Sequence, residues 1–191
     1  VESFPKAKSN IQKSMAIDLG ISNLATCVTT DNKSFIIDGK HLKSINQFYN
    51  KQKATYQSLL PKDRKYSKRL AKLDGRRSRQ VEDYLNKSVI TIISKIKELN
   101  VDEVIIGYNK NMKKGGIKNE HLKKKDKRKA NQNFVSIPLS RFKDKLIFKC
   151  RQQGIKVIAI SESYTSKASF YDNDKIEKGN YSGKRIYRGL Y

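Results

Sequence analysis

Apolar residues open the chain in short runs. Met15, Ala16 and Ile17 lead into Asp18, the run stops at Gly20, and apolar positions resume from Leu24 to Val28. This pattern predicts a buried strand with one carboxylate at its C-terminal end, a turn, and a second strand returning antiparallel. Ser34-Phe-Ile-Ile-Asp38, closed by Gly39, predicts a third strand in meander order. The period then changes. From Lys40 to about Leu60, Leu42, Ile45, Phe48 and Tyr49 share one helical face, and Pro61 ends the run. Val81, Leu85, Val89, Ile92, Ile93, Ile96 and Leu99 recur at three- and four-residue steps, a helix ending near Asn100. Val101 to Ile106 reads as a buried strand closing on Gly107. A helix precedes it, so it completes half of a crossover and lies parallel to the first strand, beside it. Ser136-Ile-Pro-Leu-Ser140 opens another helix, carried by Phe142, Leu146, Ile147 and Cys150 to Gly154, and Ile155 to Ile160 is a fifth strand. Val1 to Gln12 is polar, and Ser163 to Tyr191 is rich in Lys, Gly and Tyr without a period.

The order βββ-α-β-α-β is that of the ribonuclease H-like α/β fold, a mixed five-stranded sheet flanked by helices with the first strand central. Fold alone argues no activity. At 191 residues the chain suits one substantial domain. The expected division is a linker over 1–12 and a domain over 13–191, with a basic helical insertion at 40–79 and a basic loop at 108–133. The first Met falls inside a strand, so translation is expected to start upstream and the chain to be a fragment.

Charge narrows the partners. The formal net charge is +24, which points to polyanions, with nucleic acid ahead of an anionic membrane. No apolar run approaches a bilayer span and no signal peptide opens the chain. Residues 62–79 hold nine Lys or Arg against two Asp, and residues 108–132 hold ten against two acids. Such blocks are either solvated helix faces or phosphate-facing stretches; their one-signed balance favours the latter. The second is expected to be a mobile loop that orders on nucleic acid. Cys27 and Cys150 lie far apart and read as small core residues in a reducing compartment. His41 and His121 sit in polar surroundings and offer little for a histidine site.

In such a sheet Asp18, Gly107 and Glu162 fall at strand ends on one edge, where open α/β sheets place ligands. Phosphodiester hydrolysis there would use two metal ions held by carboxylates. Position 107 is the obvious place for a second carboxylate, and the sequence has Gly. Glu162 is one strand further out, about 10 Å of backbone from Asp18 at ordinary strand spacing. With no side chain at 107, two acidic side chains could span that gap around a metal pair. The alternatives are that Asp18 caps its own turn and that Glu162 is a helix cap or a surface acid.

Five segments then resemble one family. Ile17-Asp-Leu-Gly-Ile-Ser-Asn-Leu-Ala25, Ile105-Ile-Gly-Tyr-Asn-Lys-Asn111, Asn131-Gln-Asn-Phe-Val-Ser-Ile-Pro138, Glu162-Ser-Tyr-Thr-Ser-Lys167 and Gly183-Lys-Arg-Ile-Tyr-Arg-Gly189 resemble the C-terminal half of the transposon-encoded TnpB proteins. These are compact RNA-guided DNA endonucleases related to type V CRISPR effectors. The resemblance runs from about Met15 to the end and implies a RuvC-like nuclease domain with Asp18 as its first metal-binding carboxylate. The usual family Glu after the fourth strand matches Gly107. One branch of the family looks similar there, and in it Glu162 is the natural candidate for a relocated catalytic acid. The Cys pairs of a zinc ribbon are absent from Lys167-Ala-Ser-Phe-Tyr-Asp172, so no zinc site is expected. The family's last catalytic Asp lies beyond the Arg-Gly motif, and its guide-binding N-terminal half precedes this stretch.

The expected function is therefore the nuclease domain of an RNA-guided DNA endonuclease. Asp18 and Glu162 would hold Mg²⁺ or Mn²⁺, with guide RNA and target DNA as partners, no membrane, and a prokaryotic cytoplasmic location. Their backbones would be held by Arg64, Lys65, Lys68, Arg69, Arg76, Arg77 and Arg79 in the first block and Lys110, Lys113, Lys114, Lys123, Lys124, Lys125 and Arg128 in the second. Lys167 and Arg185, from the last two motifs, join them. The alternative is a nuclease-dead guided binder of the same descent, which Gly107 favours. A plain basic RNA-associated domain would leave the strand-end acids and the five ordered motifs unexplained.

Overall fold

The computed structural model describes residues 4–6, 10–108, 137–162, 165, 168 and 172–177. Its strands are β1 (Ser14–Leu19), β2 (Asn23–Thr29), β3 (Ser34–Asp38), β4 (Glu103–Tyr108) and β5 (Lys156–Ser161). Its helices are α1 (Lys40–Ser58), α2 (Lys68–Glu98) and α3 (Leu139–Gln152). The sheet runs β3-β2-β1-β4-β5. The β1–β2 and β2–β3 pairs are antiparallel, and β1–β4 and β4–β5 are parallel. This is the expected mixed α/β sheet of the ribonuclease H-like order, with β1 at its centre.

Alternation along β1 decides which face is core. Met15, Ile17 and Leu19 are buried, while Ala16 and Asp18 are exposed. The buried set packs with Ala25, Cys27, Val104 and Ile106, with Val81, Leu85, Val89, Ile92 and Ile96 of α2, and with Leu139, Phe142, Leu146 and Cys150 of α3. Burial pushes the thiols of Cys27 and Cys150 up to about 12, which suits inert core residues. The opposite face carries Val28, Ile36, Ile158 and Ile160, all exposed.

Helix α2 begins at Lys68, well before the Val81 expected from the apolar period. Ser67 caps it, its hydroxyl accepting from the Leu70 amide at 3.3 Å. Charge concealed this first half. Its inward positions are Leu70, Leu73 and the half-buried Arg77, whose stem serves as apolar surface. Gly75 costs about 1 kcal/mol relative to Ala, too little to break a 31-residue helix.

Helices α2 and α3 end alike. Past α2, the Val101 amide bonds the Ile96 carbonyl at 3.0 Å and the Asn100 amide bonds Lys97 at 3.1 Å, with Asn100 at φ 53°. Past α3, Ile155 bonds Cys150 and Gly154 bonds Arg151, each at 3.0 Å, with Gly154 at φ 69°. Both are Schellman caps. Each turns its helix directly into a parallel strand; Val101 belongs to the cap, and Asp102, whose amide donates to the Lys13 carbonyl at 2.9 Å, leads into β4. A side chain at the left-handed Gly154 would meet the backbone cost of that conformation. Gly154→Ala is expected to lower unfolding free energy by about 1–2 kcal/mol in urea denaturation.

Candidate active site

Register carries Asp18 and Glu162 to one place. Asp18 stands opposite Thr26 of β2 and Gly107 of β4, and Gly107 stands opposite Ile160 of β5. Side chains alternate along a strand, so Asp18, Gly107, Ile160 and Glu162 all belong to the face opposite the helices. The Glu162 amide continues the ladder by donating to the Tyr108 carbonyl at 3.3 Å. Just beyond, the Thr165 hydroxyl donates to the Glu162 carbonyl at 2.9 Å. The Glu162 side chain lies back across Gly107 and shares a hydrogen bond with Asp18.

Electrostatics follow from that placement. Burial pushes the half-buried Glu162 carboxyl above its ordinary value, and the negative charge of Asp18 and their shared hydrogen bond push it the same way. Two facing carboxylates repel each other, and a proton or a cation between them relieves that repulsion. Their oxygens match a hard divalent cation in donor type. Among the described residues, no cluster of three or more His, Cys, Asp or Glu is placed to hold a metal ion, so the acids stand as a pair.

The basic residues divide. Arg77 donates from Nε to Oδ1 of the buried Asn46 at 2.8 Å and lies over the Tyr49 ring at 5.6 Å. Arg69 stacks over Tyr56 at 4.2 Å. These two side chains hold α2 against α1. Asp74 completes the clasp, accepting from Tyr49 at 2.6 Å and Tyr66 at 2.8 Å; those bonds, led by Tyr49, lower its carboxyl below the usual range. Lys68, Lys72, Arg76 and Arg79 are exposed and recur at four-, four- and three-residue steps on one stripe of α2, about 16 Å long. Arg64 and Lys65 are exposed in the connection before it. Lys110, Lys113, Lys114, Lys123, Lys124, Lys125, Arg128, Lys167 and Arg185 lie outside the described residues, as does most of the basic loop expected at 108–133.

Sequence reasoning missed the clasp, because Tyr49 and Asp74 are 25 positions apart and no local pattern joins them. It also missed Lys43, whose Nζ donates to the Ser22 hydroxyl at 2.7 Å in the β1–β2 turn, on the same edge as Asp18. A basic first turn in α1, without any acidic residue, was the available signal.

The sequence profile of the family described as probable transposase, OrfB_IS605, matches residues 1–113. The chain belongs to the OrfB_IS605 family. That membership supports the TnpB-type resemblance drawn from the motifs. No curated protein matches this OrfB_IS605 chain. Among solved structures it is similar to a Cas12f1–sgRNA–target DNA complex, with a TM-score of 0.61 and 16% identity over 84% of this chain and 39% of that one. It is also similar to a CRISPR-Cas12f ternary complex, with a TM-score of 0.59 and 14% identity over 88% of this chain and 32% of that one. At those identities the likeness is one of fold, and the chain spans only about a third of those proteins. No helix among the described residues is long and apolar enough to cross a membrane.

Proposed function

We propose that this chain carries the nuclease domain of a TnpB-like RNA-guided DNA endonuclease, hydrolysing DNA phosphodiesters with a divalent metal. The observation that supports it best is the convergence of Asp18 and Glu162 at the carboxyl edge of a ribonuclease H-like sheet. These two carboxylates would hold Mg²⁺ or Mn²⁺, which when bound activates water and stabilises the leaving oxygen. Thr26 and Gly107 flank Asp18 and leave its carboxylate exposed toward the open face. The Thr165 hydroxyl bonds the backbone from which Glu162 reaches in. Guide RNA and target DNA, of the kind present in the similar Cas12f1–sgRNA–target DNA complex, are the proposed partners, held along their backbones by the α2 stripe.

Each phosphate contact adds to the salt dependence of binding. Lys72→Ala and Arg76→Ala are each expected to weaken binding across sequences alike. Each should also flatten the slope of log affinity against log salt by about 0.7–0.9. Filter binding at several ionic strengths measures it, and an unchanged slope removes the stripe from the interface.

The second reading, a guided DNA binder that has lost cleavage, is favoured by one observation: glycine stands at the end of β4, where the family usually has an acid. The deciding experiment incubates the full protein and its co-purified RNA with labelled matching DNA, with Mg²⁺, with Mn²⁺ and with EDTA. Metal-dependent cutting upholds the nuclease. Tight binding without cutting under every condition establishes the binder.

A further inference from the structure

The space in which Glu162 lies is the space a side chain at position 107 would fill. A β-carbon built on Gly107 would come within 3.0 Å of both Cγ and Cδ of Glu162, and closer still to Oε1. Those are its three nearest neighbours; no backbone atom is among them. Gly107 sits in the middle of paired backbone, between Asp18 and Ile160, where any residue fits the chain conformation. Glycine is therefore not needed at 107 for a turn. It is needed for the passage of one particular side chain.

We propose that Gly107 is the positioning residue of the acid pair: its missing side chain is the channel through which Glu162 reaches Asp18 from the next strand but one. This rests on the reading of Asp18 and Glu162 as a metal-holding pair. In this sheet an acid can be supplied to Asp18 from β4 or from the end of β5, but the two routes occupy the same volume. Even a methyl group at 107 crowds the second. Turning the carboxylate relieves the contact to Oε1, but the 3.0 Å contacts to Cγ and Cδ also require the stem of Glu162 to shift, away from the path over Gly107 toward Asp18.

The test is Mn²⁺ titration of the full protein, followed by the loss of the free-ion electron paramagnetic resonance signal, in wild type, Gly107→Ala, Glu162→Ala and the double variant. Gly107→Ala is expected to weaken Mn²⁺ binding by about tenfold or more, as removal of a ligand's orienting partner does. Adding it to Glu162→Ala should change nothing further. Wild-type affinity in Gly107→Ala overturns the proposal, and so does an equal loss in both backgrounds. If Glu162→Ala itself binds Mn²⁺ like wild type, it is the acid pair that fails, not the clearance alone. Should Gly107→Ala fail to fold, thermal unfolding of the double variant decides. Melting at the Glu162→Ala temperature identifies Glu162 as the obstacle, and melting as poor as that of Gly107→Ala places the obstacle elsewhere and overturns the proposal.

Discussion

Glu162→Gln is expected to cripple cleavage while making the metal-free protein harder to unfold. Both effects come from the same crowding. Glu162 is half-buried and faces a second carboxylate, and burial first, then the Asp18 charge, lifts its folded-state value above the ordinary 4.5. An acid whose value rises on folding opposes folding once ionised, so this contribution weakens the protein as pH climbs from about 4.5 through the raised value. Glutamine keeps the shape and the hydrogen-bonding capacity and removes the charge. Metal-free Glu162→Gln should therefore melt above wild type at neutral pH. Mn²⁺ should raise the wild-type melting temperature, because it binds only the folded pair, and leave that of the variant nearly unchanged. Cleavage should fall on the order of 10³-fold, since stabilisation by a bound metal contributes several kcal/mol and each 1.36 kcal/mol is a factor of ten. Asp18→Asn should behave likewise. A wild-type melting temperature indifferent to Mn²⁺, with cutting intact in both variants, would falsify the two-carboxylate site.

Phe142→Ala is expected to produce the largest loss of stability. Phe142 is fully buried on α3 within the cluster that joins α2, α3 and the inner sheet face. Removing a buried phenylalanine ring costs about 3–5 kcal/mol through lost transfer energy and the cavity left behind. For a chain of this length that lowers the melting temperature by roughly 6–20 °C. Differential scanning calorimetry measures it. The ring lies on the face away from Asp18, so cleavage per folded molecule should be unaffected below the transition.

The strands were legible because their apolar runs are short and closed by Gly, Asn or Asp. Ser34–Asp38 is found at the bounds expected, and the chain order of helices and strands sufficed for the sheet. The first half of α2 was not legible. Charged residues dominate Lys68 to Arg79, and a single face of Leu70, Leu73 and an arginine stem shows no apolar period. Asp18 and Glu162 could be placed on one edge and one face by counting residues along paired strands. Their hydrogen bond, and the way Glu162 lies over Gly107, could not, because rotamer and clearance belong to side-chain geometry. The Tyr49–Asp74–Tyr66 clasp was invisible for a related reason: its members are joined only after the two helices have packed.

The paired Schellman caps have a consequence at the far end of the sheet. Each cap starts a strand at a fixed point, and the strand then delivers a residue to the opposite edge after a set number of steps: from Val101 to Gly107 on one side, from Ile155 to Glu162 on the other. The strands act as rulers whose zero marks are helix ends. Alternation makes the reading binary, because gaining or losing one residue between a cap and the edge turns the acid, or the gap that admits it, toward the core. The spacing between cap and acid is thus a harder constraint on this chain than the identity of the residues in between.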